Sequence, residues 1–464
     1  MINEQSKVVK IIQKYARVDA PDALKLLLAA ATFFCMIGAY SILRSLKTSI
    51  FLGFVGREYE PIAKILAIVL AVPAMLIHAR ITDSFRRHQV VYCFIGFYAV
   101  SILIFSILFL HPVYGISNTQ TSPYRILGWV FEFLMDLFQA LVVGTFWSFL
   151  NSISTPAFAE KGYGFIVAGS RIGGILTPLL SLIVLEKTAL ASSIAIPLLT
   201  ASAALLLILA IYCIYVIQHS VPTDHLHGYE AGHKEELQGK KKKHHPTALE
   251  GLRLILTQPY VFGIFGLVFS YEVVNIIFDY QMHVAMSIST NNQIGAMSSF
   301  MLVYTCSFQV LSFIFALFGT SAILKHLGVK WSLLVMPGVT LLLTLLPVMY
   351  PKLWTFFFVM VVLRALNYGF NHPLREILFI PTVKDIQFKS KAWIESFGRT
   401  FSKTTGSTLN WMFGSLAPYF CIMVGASASA GITVIWAFMA LLVGKKYLTT
   451  IAANQVIGKR THTP

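Results

Sequence analysis

Apolar runs long enough to cross roughly 30 Å of hydrocarbon recur along almost the whole chain. Of its 464 residues 56% are hydrophobic and 12% charged, about half the charge of a soluble domain. Such a chain belongs in a bilayer. Twelve spans are expected, at roughly 24–47, 59–80, 89–111, 124–151, 160–184, 192–218, 250–284, 293–323, 331–350, 352–377, 391–424 and 427–448. The fold class is therefore an all-α membrane protein, with its transmembrane helices in two six-helix halves.

Loop charge orients these spans. Even-numbered gaps carry Arg80, Arg86 and Arg87; Glu160 and Lys161; Lys325 and Lys330; and Lys384, Lys389 and Lys391. Odd-numbered gaps are poor in cations, with Arg57 set beside Glu58 and Glu60. Both ends are basic, and the positive-inside rule places them in the cytoplasm. The net charge of +16 is then mostly topological and does not point to nucleic acid as a partner. Met1 to Ala20 is polar and basic, so no cleavable signal peptide is expected before the first span. The division is 1–23 as a cytoplasmic segment, 24–218 as the first half, 219–249 as a basic linker, 250–448 as the second half and 449–464 as a cytoplasmic tail. The linker holds Lys240 to Lys243, then His244 and His245. It reads as a solvated connection, or as a surface for anionic lipid.

Spans 1, 4, 7 and 10 each carry a polar stripe. The stripes are Tyr40, Arg44 and Lys47; Glu132, Asp136 and Gln139; Glu272, Asn275, Asp279 and His283; and Arg364, Asn367, Asn371 and Arg375. Offsets of three, four, seven and eleven residues put each set on one helix face. Charges at membrane depth normally face a bundle interior or a watery cavity. Recurrence every third helix suggests a twofold-repeated bundle around one path, which points to transport.

Six plus six spans joined by a cytoplasmic linker resemble the major facilitator architecture. The loop after span 2 is similar to that superfamily's Asp-and-Arg signature, with Asp83, Arg86 and Arg87 in register. The signature's leading Gly is missing.

Candidate chemistry begins with Lys47 at the outer end of span 1, one turn beyond Arg44. Two cations on one face need carboxylates or an anionic ligand, unless Lys47 snorkels to the headgroups. In span 11, Lys391, Glu395, Arg399 and Lys403 follow at intervals of four. Glu395 can pair with Arg399, whereas Lys403 has no carboxylate at i±3 or i±4. That implies a partner on another helix or a bound anion. The span-7 acids Glu272 and Asp279 could take up a proton, or serve as counter-ions to Lys47, Arg171 or Lys403. Glu132 and Asp136 carry the same ambiguity, and Glu132 could simply be hydrated. Arg171 lies in Gly169-Ser170-Arg171-Ile172-Gly173-Gly174, where the glycines allow close helix contact.

Other features carry less. Gly398 to Thr404 imitates a phosphate loop, but Ser402 stands where Gly should precede Lys403 and no strand leads in. Trp129, Trp147, Trp354, Trp411 and Tyr419 could stack a base or belong to packing and the interfacial belt. Cys35, Cys93, Cys213, Cys306 and Cys421 have no paired spacing and read as buried small hydrophobes. His225, His227 and His233 are too irregularly spaced for a metal site. No metal or cofactor is expected, and the absence of a nucleophile–base pair argues against an enzyme.

Four blocks resemble the ATP/ADP translocase family of plastids and obligate intracellular bacteria. They are Tyr40 to Lys47, Phe146 to Thr155, Pro373 to Pro381, and Lys389 through Lys403 to Ser407. The resemblance places a family functional Lys on Lys47 and another on Lys403. It departs where acids flanking the span-1 Lys are Ser45 and Thr48, where a functional Glu aligns with Phe158, two residues before Glu160, and where the span-7 Glu falls at or beside Phe278, next to Asp279. What it implies is a transporter of phosphorylated nucleotides in a bacterial inner membrane, working by alternating access, as an antiporter or with proton coupling, and as a monomer. Lys47 and Lys403 would contact phosphate. Arg44, Arg171, Arg364 and Arg375 would add positive potential, with Asn275 and Asn367 beside them. Asp279, Glu160, Glu272 and Asp136 would be gating or coupling acids. The competing expectations are a carrier for another anionic solute and a non-transporting membrane sensor or scaffold.

Overall fold

The computed structural model describes residues 18–226, 249–316, 320–383, 390–414 and 416–458, with Gln13 and Ile386 besides. The Lys240–His245 run, His227 and His233 lie outside the described residues. So do the side chains of Asp83, Arg87, Glu160 and Lys161.

Nearly every described residue is helical. We label the long helices α1 (Ala20–Phe54), α2 (Glu60–Ser84), α3 (Arg87–Leu110), α4 (Ile126–Ser152), α5 (Pro156–Lys187) and α6 (Ser192–Ser220). After a short helix, Leu249–Thr257, come α7 (Pro259–Ser289), α8 (Ile294–Ile314), α9 (Thr320–Met349), α10 (Leu353–Leu378), α11 (391–413) and α12 (Pro418–Ala452). Among the described residues eleven helices are long and apolar enough to cross a membrane. The exception is α11, whose four charged residues set it apart. Within α9, Gly328 adopts φ +67°, the left-handed turn that glycine makes at least cost, and the helix breaks there.

Two boundaries differ from expectation. Span 11 does not run to 424: it stops at Phe413, and α12 starts at Pro418 with Ala417 as its N-cap. Proline suits the first helical turn, where its missing N–H costs nothing. The 425–427 gap is therefore helix. Span 1 also continues past Lys47 to Phe54, so Lys47 sits two turns inside the helix rather than at its end.

The helices form two compact units. Unit 1 comprises the described residues of Met1–Gly56, Val69–Lys243 and Asn292–Cys306; unit 2 comprises those of Arg57–Ile68, His244–Asn291 and Ser307–Pro464. Thus α2 gives its first turns to unit 2 and the rest to unit 1, and α8 does the reverse.

Packing repeats with a shift of six helices. In unit 1, α1 packs on α4, α5 and α6, and α3 packs on α6; in unit 2, α7 packs on α10, α11 and α12, and α9 packs on α12. This repeated packing order brings the polar stripes of α1 and α4 together, and likewise those of α7 and α10. Small residues permit the close crossings. A Cβ on Gly173 of α5 would lie 2.4 Å from the Phe34 carbonyl oxygen of α1. Backbone cannot swing aside, so Gly173→Ala should cost about 1–3 kcal/mol, read as a lower unfolding temperature in detergent. Gly96→Ala, with open space around it, should not lower that temperature, because alanine is the better helix former.

The cysteines are free, and only Cys35 and Cys213 are buried. Cys93 is exposed and Cys306 and Cys421 are half-buried, so the expectation of five buried thiols fails: sequence gave apolar neighbours but not which helix face each thiol takes. Among the described residues there is no extended strand. One isolated bridge pairs Thr382 with Ile457 and ties the tail after α12 to the loop after α10.

Candidate functional site

Among the described residues, buried charged side chains collect in four places, two within each unit. In unit 1 the α1 and α4 stripes meet. Lys47 is 7% exposed; its ammonium lies 3.0 Å from Glu132 Oε1 and also pairs with Asp136. Glu132 is 2% exposed. Snorkelling of Lys47 and hydration of Glu132 are both ruled out by this geometry, because each group is buried against the other. Arg44, a turn below on α1, and Arg171 on α5 are half-buried, and each has partners of its own.

Sequence reasoning passed over the second place, at the start of α1. Lys25 is 1% exposed and donates to the carbonyls of Ile153 (3.0 Å) and His225 (2.8 Å). Asp22 stands 3.5 Å away, and the ammonium lies 3.9 Å over the Phe158 ring. Phe158, the position where the resembled family has an acid, is thus a buried platform for this lysine. Its polar N-terminal setting hid Lys25 from the sequence reading.

In unit 2 the C-terminal half of α7 meets the first turns of α2 and also α10. Arg364 is 6% exposed and donates from Nη2 to Asp279 Oδ2 at 2.9 Å. His283, 3% exposed, lies with Nδ1 2.7 Å from Glu60 Oε1 and Nε2 3.7 Å from Asp279 Oδ1. Its position in the sequence groups Glu60 with the loop charges. It is the first residue of α2, just before Pro61, a pattern that marks a helix start. A small neighbouring pocket is lined by Glu60, Lys64, Asp279, Tyr280, Ser407 and Asn410, among others.

The fourth place is where α7, α10 and α11 meet. Arg399 forms the expected i,i+4 pair with Glu395 at 2.8 Å and approaches Glu272 at 3.7 Å. Lys391 pairs with Glu376 at 2.5 Å. Arg375 is 3% exposed, and all three of its guanidinium nitrogens lack a hydrogen-bond partner among the described residues. Its charged neighbours are Arg399, Glu395 and Glu272. His372, Glu376 and Glu395 could close on a metal ion by distance, but Lys391 and Arg399 already occupy the two carboxylates.

The remaining candidates separate clearly. Asn367 accepts from Asn371 at 3.0 Å, and Asn275 accepts from Tyr271 at 3.4 Å; both are buried. Lys403 is exposed and has no hydrogen bond or ion pair among the described residues. Phe401 is exposed too, and a helix puts it about 160° round from Lys403. Trp354, Trp411 and Tyr419 are exposed, whereas Trp129 and Trp147 pack on Phe51 and Phe33. Widened helical turns interrupt α4 at Gln139–Val143, α10 at Asn367–Asn371 and α11 at Ile394–Gly398. Such turns are frequent at functional sites, and here they fall on helices that carry the charges.

A helical bundle with a six-helix repeat, whose interior crossings hold paired cations and acids, has the fold class of a multi-pass membrane transporter, major-facilitator-like in its helix order. The chain belongs to the TLC ATP/ADP transporter family, whose model matches residues 2–356. It is 21% identical to ADP,ATP carrier protein 1 of Rickettsia prowazekii (strain Madrid E), over 98% of both chains. It is 22% identical to the ADP,ATP carrier protein 1 of Rickettsia bellii (strain RML369-C), over 96% of both. Among solved structures, its fold is similar to an inward-facing bacterial homologue of the iron transporter ferroportin, with TM-score 0.59 and 13% identity over 92% of this chain and 98% of that one. It is also similar to a bacterial homologue of the lysosomal transporter Spinster, with TM-score 0.58 and 11% identity over 92% and 98%. The protein is a nucleotide transporter of the ATP/ADP class, not an enzyme.

Proposed function

We propose that the chain exchanges ATP and ADP across a bacterial cytoplasmic (inner) membrane by alternating access, as a monomer with both termini in the cytoplasm. The halves are 24–218 and 250–448, joined by the 219–249 linker. Nucleic acid is no partner in this reading. The observation that carries it is the buried ammonium of Lys47 held by Glu132 and Asp136.

Phosphate oxygens offer an ammonium the same ligand chemistry as carboxylates. A nucleotide therefore binds by replacing acids as the partner of cations. Lys47 and Lys403 are the phosphate contacts, and Arg44, Arg171, Arg364 and Arg375 supply positive potential. Asn275 and Asn367 shape the surrounding polar surface. Asp136, Asp279, Glu272 and Glu160 are the gating and coupling acids. Their part is to take the cations back when phosphate leaves. Moving a buried charge without a partner costs several kcal/mol per ion (order of magnitude). That barrier holds back the carrier until a second nucleotide binds, and the result is exchange.

The test is uptake of labelled ATP into liposomes carrying the purified protein. Excess ADP should suppress it, while adenosine and sugar phosphates at equal concentration should not. Equal suppression by a sugar phosphate would instead favour a carrier for another anionic solute.

A further inference from the structure

We propose that Tyr40 is the nucleobase platform of unit 1: a base stacks on the ring face turned away from Phe138 while Arg44 and Lys47 take the phosphates. This role rests on the nucleotide reading above. It adds the contact that tells a nucleotide from a bare polyphosphate.

Most of α1 is buried, and it packs on α4, α5 and α6. Between Thr32 and Ile50 only Phe34, Ile37, Tyr40, Arg44 and Thr48 are half-exposed. Their offsets of three and four residues make one open face. Hydrocarbon does not account for that face, because Arg44 lies in it and a charge at membrane depth turns to water or a polar partner. The face therefore borders a polar path.

Tyr40 is supported from behind. Its ring stacks on Phe138 of α4, with centroids 5.5 Å apart and planes at 20°. Phe138 is fully buried and meets the edge of Tyr98 at 5.0 Å. Tyr98 is fully buried too, and its hydroxyl donates to the Leu134 carbonyl at 2.8 Å. The support is thus fixed by packing and a hydrogen bond, and α4 widens at the very next residue, Gln139. Among the described residues Phe138 is the one ring neighbour of Tyr40, and the Tyr40 hydroxyl makes no hydrogen bond. A side chain serving packing alone would be as buried as Phe138. Tyr40 instead presents its ring to the open face.

Spacing selects Tyr40 over the other aromatic on this face. Lys47 lies seven residues on, about 10 Å along the axis, and Arg44 four residues on, about 6 Å. Those lengths suit the reach from a base to its phosphates in an extended nucleoside triphosphate. Phe34 is thirteen residues from Lys47, about 20 Å, which is too far for one nucleotide to bridge. Stacking on an aromatic ring tolerates any base, since every base has a π face. The platform therefore favours nucleotides as a class, and ATP and GTP gain from it alike.

The experiment is calorimetric titration of the purified full-length protein with ATP, GTP and inorganic tripolyphosphate, which keeps three phosphates and lacks a base. Tyr40→Leu should bind ATP and GTP about 5- to 150-fold more weakly and tripolyphosphate as the wild type does. Tyr40→Phe, which keeps the ring, should bind all three like the wild type, and so should Phe34→Leu. Tyr40→Trp should keep its affinity for ATP, and the emission it adds should be quenched by ATP but not by tripolyphosphate. That signal decides if the leucine variant does not fold. Unchanged ATP binding by Tyr40→Leu, equal weakening of all three ligands, or a Tyr40→Trp emission indifferent to ATP overturns the platform alone. Wild-type protein that binds neither nucleotide overturns the nucleotide reading and the platform with it.

Discussion

Lys47→Ala should abolish most nucleotide uptake and destabilise the protein at once. The ammonium is buried between Glu132 and Asp136, and removing it strands two acids in low dielectric. Breaking a buried pair in this way costs about 3–5 kcal/mol. A fall in uptake alone would thus be ambiguous, because loss of fold and loss of a phosphate contact look alike. The triple variant Lys47→Ala, Glu132→Gln, Asp136→Asn separates them. It removes both stranded charges and should recover most of the unfolding temperature in detergent. Uptake should stay about 10- to 150-fold down, the equivalent of one lost charged hydrogen bond at about 1.5–3 kcal/mol. Recovery of uptake in the triple variant would assign Lys47 to architecture.

Lys403→Ala should give the opposite pattern. The side chain is exposed and has no partner among the described residues, so its removal should change stability by about 0.5 kcal/mol or less. A lysine in a membrane helix keeps its charge only against water or a polar partner, and Phe401, also exposed, takes nearly the opposite face. Uptake should fall about 10- to 150-fold with the unfolding temperature unchanged. Lys403→Arg, which keeps the charge, should retain much of the rate. Normal uptake by Lys403→Ala would remove this residue from the site.

The two lysines also show what a sequence discloses. Local relations were legible. Hydropathy located the spans, and the four-residue spacing of Glu395 and Arg399 gave a pair that exists. Relations across the fold were not. Lys47 meets Asp136 across 89 positions, Arg364 meets Asp279 across 85, and His283 meets Glu60 across 223. No spacing rule reaches that far. The first two pairs arise because α1 packs on α4 and α7 on α10, a repeat set by side-chain fit rather than composition, and the third because the start of α2 lies against α7. Hydropathy also failed between Gly414 and Ala417. That stretch is as uncharged as the adjoining ends of the two helices, and only Pro418 marks the restart. Glu60 was misplaced for a related reason: charges at a helix start resemble charges in a loop until the helix is seen.

The central claim is nucleotide exchange, and counterflow tests it most directly. Purified protein is reconstituted into liposomes, half loaded with ADP and half with buffer, and entry of labelled ATP is followed in both. Entry should be several-fold faster into the ADP-loaded vesicles, because internal nucleotide carries the binding site back. No entry into either population, or entry at equal rates into both, would contradict the account.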